Sequence, residues 1–315
     1  MSQPFISICI PAYKRAEYLR RLLESIVIQS YKDFEVIITD DSSDDSVSSL
    51  IQNYAGYFKI IYQKNSKPLG SPENWNESVR LASGKWIKIM HDDDWFTDAN
   101  SIQCFAGATI SNPGSSFIFS AFNEMNLDTK QKKSFAITAI QRKLLKSSPL
   151  NLFKKNYIGH PSTTLILKSK DLYFDKCLRW VVDFEFYIRY LSKSNNHFAN
   201  ISKPLINIGI NEFQITKEAF RNPEIEISEA IYLYYKLPSN CIRNIFVYDY
   251  YWRLMRNLSI KSNSELEKYA DSQPVPQFLK SIVKLQSKIP DEVIRKGLFS
   301  KIFMGTHYLF NIKIQ

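Results

Sequence analysis

The sequence predicts an α/β fold built on a parallel, doubly wound sheet, followed by a helical C-terminal region. Three observations carry this. Over the first ninety residues, short β-rich runs alternate with segments of helical spacing. Polar or acidic clusters close those runs, and open α/β sheets bind their ligands at the carboxyl ends of strands. From about residue 218 helical stretches follow one another, punctuated by Pro238, Pro274, Pro276 and Pro290.

The elements follow in order. Residues 5–10, FISICI, form a β-rich run that reaches Pro11. Residues 15–29 place Leu19, Leu22, Leu23, Ile26 and Val27 at helical spacing. FEVIIT at 34–39 reads as a buried strand that runs into the acidic turn Asp40–Asp45. A helix over 46–54 and a strand over 58–62 follow. Residues 72–83 read as a helix, with Gly84 placed as its C-cap glycine. KWIKIM at 85–90 is a fourth strand, ending in His91-Asp92-Asp93-Asp94. Between 100 and 215, the segments 117–122, 163–167 and 204–210 read as strands and 180–191 as helix. Helices are expected over 225–236, 241–258, 263–270, 276–288 and 291–304. The expected division is a catalytic domain over 1–216 and a helical region over 217–315.

Composition narrows the classes. The 315 residues are 44% hydrophobic, enough for a full core, and 9 Gly and 13 Pro exclude collagen-like or linker-rich chains. No apolar run approaches the ~18 residues of a spanning helix, and the N-terminus lacks the pattern of a secretory signal. Cys9, Cys104, Cys177 and Cys241 are scattered, which favours free thiols in a reducing compartment. The four histidines show no zinc spacing. With 41 Lys+Arg against 31 Asp+Glu, the net charge of +10 admits nucleic acid, an anionic membrane or a phosphorylated substrate as partner.

Four motifs carry chemistry. Asp92-Asp93-Asp94 follows an apolar strand; adjacent carboxylates repel one another, and a cation such as Mg²⁺ or Mn²⁺ would neutralise them. The plain alternative is a solvated turn entering a helix. Asp40-Asp41 closes the second strand, where a carboxylate can accept from a base or a ribose hydroxyl, or simply form a turn. Pro11-Ala12-Tyr13-Lys14-Arg15 can wall a base and reach a phosphate, or serve only as a strand-to-helix turn. Asp183 sits among Val, Trp and Phe, where partial burial would suit it to general-base work; the alternative is an exposed helix position.

Together these segments resemble glycosyltransferase family 2, inverting enzymes of the GT-A fold, a Rossmann-like nucleotide-diphospho-sugar transferase architecture. The resemblance covers residues 4–216 and rests on three stretches in order: ISICIPAYKRAEYLRRLLESIVIQSYKDFEVIITDDSSDDS, NSKPLGSPENWNESVRLASGKWIKIMHDDDWF and WVVDFEFYIRYL. It implies that Pro11, Ala12, Tyr13, Arg15, Asp41, Gly70, Asn74 and Asp92 contact the donor nucleotide. It implies that Asp93 and Asp94 hold a divalent cation, Mn²⁺ or Mg²⁺, and that Asp183 is the catalytic base. The chain departs from the pattern at Ser42, where Gly is common, at His91, the first DxD position, and at Val182, where the pattern has Glu. It departs again at Asn211, in NEFQIT at 211–216, a segment that often carries a His.

The function so implied is inverting transfer of a sugar from a nucleotide-sugar, a UDP-sugar first, to a glycan acceptor. The acceptor is expected to be lipid-linked, in bacterial O-antigen, capsule or other surface-polysaccharide synthesis. Two rivals remain at this point. A nucleotidyltransferase on a similar sheet would want a Gly-rich phosphate loop, which PAYKR lacks. A basic nucleic-acid binder would want a basic strand face, whereas the strand ends are acidic. The basic surplus collects in 280–315, where Ile294, Leu298, Phe299, Ile302 and Phe303 interleave with Lys and Arg. That pattern reads as an amphipathic helix able to lie on an anionic membrane, or as a C-terminal helix packed on its own domain. The resemblance implies a peripheral place on the cytoplasmic inner face of the bacterial membrane, and nucleic acid is not expected as a partner. The aromatic run 246–258 reads as core.

Overall fold

The computed structural model describes residues 3–210 and 220–312. The segment 211–216, with Asn211 at the place of the expected histidine, lies outside the described residues. The chain divides into two compact units: Met1–Lys146 with Tyr157–Cys177 and Val182–Glu212, and Ser147–Asn156 with Leu178–Val181 and Phe213–Gln315.

The first unit begins with β1 (Ile6–Ala12), α1 (Ala16–Val27), β2 (Phe34–Asp40), α2 (Ser46–Gln52), β3 (Ile60–Lys64), α3 (Glu73–Leu81) and β4 (Trp86–Ile89). Strands β3, β2, β1 and β4 are neighbours in that order and all parallel. Every residue of β1, β2 and β4 is buried, as expected of strands covered on both faces. The apolar stripe of α1 (Leu19, Leu22, Leu23 and Ile26) packs into the same core. The register pairs Ala12 with Asp40 and Cys9 with Ile89, so the carboxyl ends of β1, β2 and β4 open on one edge of the sheet.

The chain continues through β5 (Trp95–Phe96), α4 (Ser101–Ser111), β6 (Phe117–Asn126), β7 (Lys132–Phe135) and α5 (Ala139–Ser147), then β8 (Thr164–Leu167), α6 (Val182–Lys193) and β9 (Phe198–Ile210). The full path is β3-β2-β1-β4-β8-β6-β9-β5, with β7 on β6. Here the sheet turns mixed: β8 runs antiparallel to both β4 and β6, β9 is parallel to β6, and β5 is antiparallel to β9.

Three sequence expectations need correction. The strand expected at 58–62 lies at Ile60–Lys64, because Phe58 is spent packing on the ring of Phe34, 6.0 Å away, before pairing begins. Gly84 is not a helix cap: α3 ends at Leu81, with Ala82 extended behind it. Its missing side chain serves a close approach instead, since a Cβ there would lie 2.6 Å from Ser7 Oγ, which accepts the Gly84 N–H at 2.7 Å. The helix expected at 291–304 is two helices, Asp291–Ile294 and Gly297–Ile312, with the break at Arg295 and Lys296.

The second unit holds α7 (Pro223–Lys236), α8 (Ile245–Asn257), α9 (Asn263–Lys268), α10 (Gln277–Gln286), α11 (Asp291–Ile294) and α12 (Gly297–Ile312). Asn222, Asn244 and Ser262 cap their helices by accepting backbone N–H groups with their side chains. The aromatic run is core as expected: Tyr248, Tyr251 and Trp252 are fully buried. Glu229, on α7, accepts the N–H groups of Arg179, Trp180 and Val181 at 2.7, 2.9 and 3.1 Å and so ties that short segment into the unit.

Candidate active site

The sheet edge at the ends of β1, β2 and β4 gathers the predicted residues. Pro11 and Ala12 lie inside β1, and the Ala12 carbonyl accepts the Asp41 N–H at 3.0 Å. Tyr13 follows and is half-exposed. Lys14 and Arg15 then take two successive left-handed conformations (φ 56° and 46°), uncommon for residues with side chains. The Ser42 hydroxyl accepts the Lys14 N–H at 2.6 Å and holds this kink. The kink turns Arg15 onto the acids of β4, with its guanidinium 2.6 Å from Asp92 and 3.4 Å from Asp93.

At the end of β2, Asp41 is buried and engaged by its own protein. It accepts from Asn65 Nδ2 at 2.8 Å and from the N–H groups of Leu69 and Gly70 at 3.0 and 2.8 Å. Gly70 sits at φ 73°, a conformation glycine adopts freely. Asn74 is a buried brace that donates to the carbonyls of Ala12 and Thr39 and accepts from Asn65. These three residues therefore stand beside the predicted nucleotide position as a fixed scaffold.

The end of β4 differs. Asp92, Asp93 and Asp94 are all buried. Burial drives the Asp92 carboxyl up to about 7; Arg15 opposes that rise and Asp93 adds to it. Burial also pushes Asp94 well above the carboxylate range, with Asp93 contributing and hydrogen bonds from Ser162 and Gly209 opposing. Burial holds the His91 imidazole down to about 4 against the pull of Asp93, so the ring is neutral and able to bind a metal. Within this buried cluster, Asp92 Oδ2 and His91 Nε2 have no hydrogen-bond partner among the described residues.

A divalent cation would answer the His91 part of that shortfall. Ligand atoms of His91, Asp93 and Asp94 all lie within 4.8 Å of one another. One neutral imidazole and two carboxylates form a donor set that suits a divalent ion of the Mn²⁺ type. The predicted ligands Asp93 and Asp94 are thus joined by His91, which the sequence presented only as a departure from a motif.

Asp183 is the second residue of α6, and burial raises its carboxyl to about 6. One turn later, Tyr187 donates to the Gly159 carbonyl at 3.1 Å. The loop that starts there carries His160, whose imidazole is influenced by Asp93, and Ser162, whose hydroxyl accepts the His91 N–H at 3.0 Å. This loop links the helix of Asp183 to the acidic end of β4. Ser162 and Gly209 escaped sequence reasoning. A Cβ on Gly209 would fall 2.4 Å from the Asp93 carbonyl oxygen, and its N–H donates to Asp94 at 3.1 Å.

A Rossmann-like sheet with an acidic cluster closing its fourth strand is the GT-A architecture of glycosyltransferases. The chain belongs to glycosyl transferase family 2, whose family model matches residues 7–171. It is 25% identical to an uncharacterized glycosyltransferase of Rickettsia typhi over 234 residues, covering 73% of this chain and 70% of the relative. It is 43% identical over 95 residues to the abequosyltransferase RfbV of Salmonella typhimurium, covering 28% of each. A further relative is the GalNAc(5)-diNAcBac-PP-undecaprenol beta-1,3-glucosyltransferase of Campylobacter jejuni, 33% identical over 94 residues, 29% of this chain and 30% of that one. Among solved structures, S. aureus TarS 1–349 in complex with UDP-GlcNAc superposes with a TM-score of 0.65 at 15% identity, covering 93% of this chain and 92% of that one. The chain spans half of a longer TarS structure. The mannosyltransferase PcManGT of Pyrobaculum calidifontis, in complex with GDP-Man and Mn²⁺, gives 0.55 at 13% identity, covering 98% and 86%. The enzyme class is therefore glycosyl transfer, and the nucleotidyltransferase reading is set aside.

Proposed function

We propose that this glycosyltransferase moves a sugar, with inversion, from a UDP-sugar to a lipid-linked glycan acceptor in bacterial surface-polysaccharide synthesis. The observation that carries the reading is the gathering of ligand atoms of His91, Asp93 and Asp94 within 4.8 Å of one another, at the edge where Tyr13 and Arg15 also stand. TarS crystallised with UDP-GlcNAc supports the donor class, and the undecaprenol-linked substrate in the name of the Campylobacter relative supports the acceptor class.

His91, Asp93 and Asp94 would hold the divalent ion, which when bound supplies positive charge against the leaving diphosphate. Tyr13 offers a face to the base, and Arg15, held at this edge, adds a second positive charge beside the phosphates. Asp183 removes the proton from the acceptor hydroxyl as it attacks the anomeric carbon; its raised pKa makes it a better base than an ordinary aspartate. Asp183→Asn should cut transfer at least about 100-fold while leaving the UDP-induced thermal shift intact. Turnover near that of the unaltered protein would sink its role as base.

The surface of the helical unit supports a peripheral contact with an anionic membrane. No helix among the described residues is long and apolar enough to cross a membrane. Yet Leu298, Ile302, Leu309 and Phe310 of α12 are each more than half exposed, beside exposed Arg295, Lys296 and Lys301. Ile294, expected on this face, is instead buried in α11. Leu298→Glu with Ile302→Glu should abolish co-sedimentation with anionic vesicles; unchanged sedimentation would refute the membrane contact.

A further inference from the structure

Beneath the acidic end of β4 lies a buried lysine that the proposed reaction does not use. Lys88, the third residue of β4, is almost wholly buried. Its Nζ lies 5.0 Å from the ring centre of Phe105 and 5.9 Å from that of Phe96, and burial pushes its pKa well below the ordinary lysine value. It donates to the backbone carbonyls of Ser162 and of Ile89. A lysine is almost never fully buried without a partner, because stripping water from its charge is costly. A strand residue that only filled the core would be apolar, as Trp86, Ile87 and Ile89 are beside it.

What Lys88 holds is the loop that orients the cation ligands. The Ser162 hydroxyl accepts the His91 N–H at 3.0 Å and hydrogen-bonds to Asp94. The other side of Asp94 is fixed by the Gly209 N–H at 3.1 Å. Lys88 grips the carbonyl of the same serine whose hydroxyl touches two of the three candidate ligands. We propose that Lys88 is a positioning residue for the cation site: it anchors Ser162, and Ser162 sets the orientation of His91 and Asp94. The inference rests on the reading that His91, Asp93 and Asp94 hold a divalent ion.

The role differs in sign from a simple charge effect. A positive charge near a cation site repels the ion, so removing it without disturbing geometry would tighten binding. Removing an anchor of the outer shell loosens the ligands and weakens binding, typically about 10–100-fold. Manganese titration of the full chain, followed by electron paramagnetic resonance, separates the two. Lys88→Met should bind Mn²⁺ about tenfold more weakly. Lys88→Arg, which keeps hydrogen-bond donors at this position, should recover part of the loss. Ser162→Ala should weaken binding to a similar degree, and the double variant should be no weaker than the worse single one, because Lys88 acts on the ligands only through the placement of the Ser162 hydroxyl. Unchanged or tighter Mn²⁺ binding by Lys88→Met, with melting behaviour showing a folded protein, overturns the proposal. Should Lys88→Met fail to fold, unchanged binding by Ser162→Ala overturns it equally. An unaltered protein that binds no Mn²⁺ would instead remove the cation reading itself, and this inference with it.

Discussion

Two acidic clusters close the strands on either side of β1, and the protein treats them in opposite ways. At the end of β2, Asp40 accepts from the Ser42 N–H at 2.8 Å and the Tyr62 hydroxyl at 2.9 Å, while Asp41 collects three donors. At the end of β4, the buried acids share Arg15, yet atoms of Asp92 and His91 remain without hydrogen-bond partners among the described residues. Buried polar groups are ordinarily satisfied, because leaving one unmade forfeits its solvation. The first cluster is tied to its own loops, whereas the second leaves atoms of Asp92 and His91 without hydrogen-bond partners among the described residues. Similar sequence, two or three aspartates after an apolar strand, gives a satisfied turn in one place and a partly unsatisfied, candidate cation-binding cluster in the other.

The contrast breaks most visibly at Asp93. Asp93→Asn removes one ligand charge from the β4 cluster and should lower metal-dependent transfer by at least about 100-fold, with Mn²⁺ binding lost in parallel. Initial rates across a manganese series measure it. A rate within a few-fold of the unaltered enzyme would mean that this cluster does not hold a cation.

The same substitution in the β2 cluster should act on stability. In Asp41→Asn an amide –NH₂ replaces one carboxylate oxygen, so at least one of the three donors from Asn65, Leu69 and Gly70 faces another donor. Leaving such groups unpaired should lower unfolding free energy by about 1–3 kcal/mol, read as a lower urea midpoint with an unchanged slope. An unaltered midpoint would show that the Asp41 contacts are replaceable and that the two clusters do not differ in kind.

These two clusters also mark how far the sequence could be read. Strands β1 to β4 and the polar residues that close them are local patterns, an apolar run followed by a charged turn, and they were legible. So was the likeness to a family, which rests on the same stretches. What distinguishes the clusters was not legible, because it is made by distant residues. Asp41 is satisfied by the loop at 65–70, and Asp94 accepts from Ser162, in the turn before β8, and from Gly209 of β9, both far along the chain. Lys88 read as one more strand residue in KWIKIM, since periodicity does not report which side chain meets a carbonyl from residue 162. His91 read as a broken motif, and only the gathering of its ring nitrogen with Asp93 and Asp94 turns it into a candidate ligand. Segments 147–156 and 178–181 join the helical unit through contacts such as those of Glu229, for which local sequence carries no signal.

The smallest effect tests the contrast most finely, because it predicts a gain. Asp92 is buried, one of its oxygens has no hydrogen-bond partner among the described residues, and its carboxyl is raised from the ordinary 3.8 to about 7. An acid whose folded pKa exceeds its unfolded value binds its proton more tightly in the folded state. Its contribution is therefore least harmful below the unfolded pKa, and stability declines as pH rises from about 3.8 through about 7. Asp92→Asn keeps the shape and an oxygen for Arg15 but has no proton to lose. Above pH 7 it should melt higher than the unaltered protein, by about 1 kcal/mol or roughly 2–4 °C, and the gain should shrink as the pH falls toward 4. Saturating Mn²⁺ should narrow the gap, since an ion bound beside Asp92 stabilises the ionised carboxylate. A lower melting temperature at every pH would show that Asp92, like Asp41, is fully compensated, and would place both strand ends in the class of scaffold.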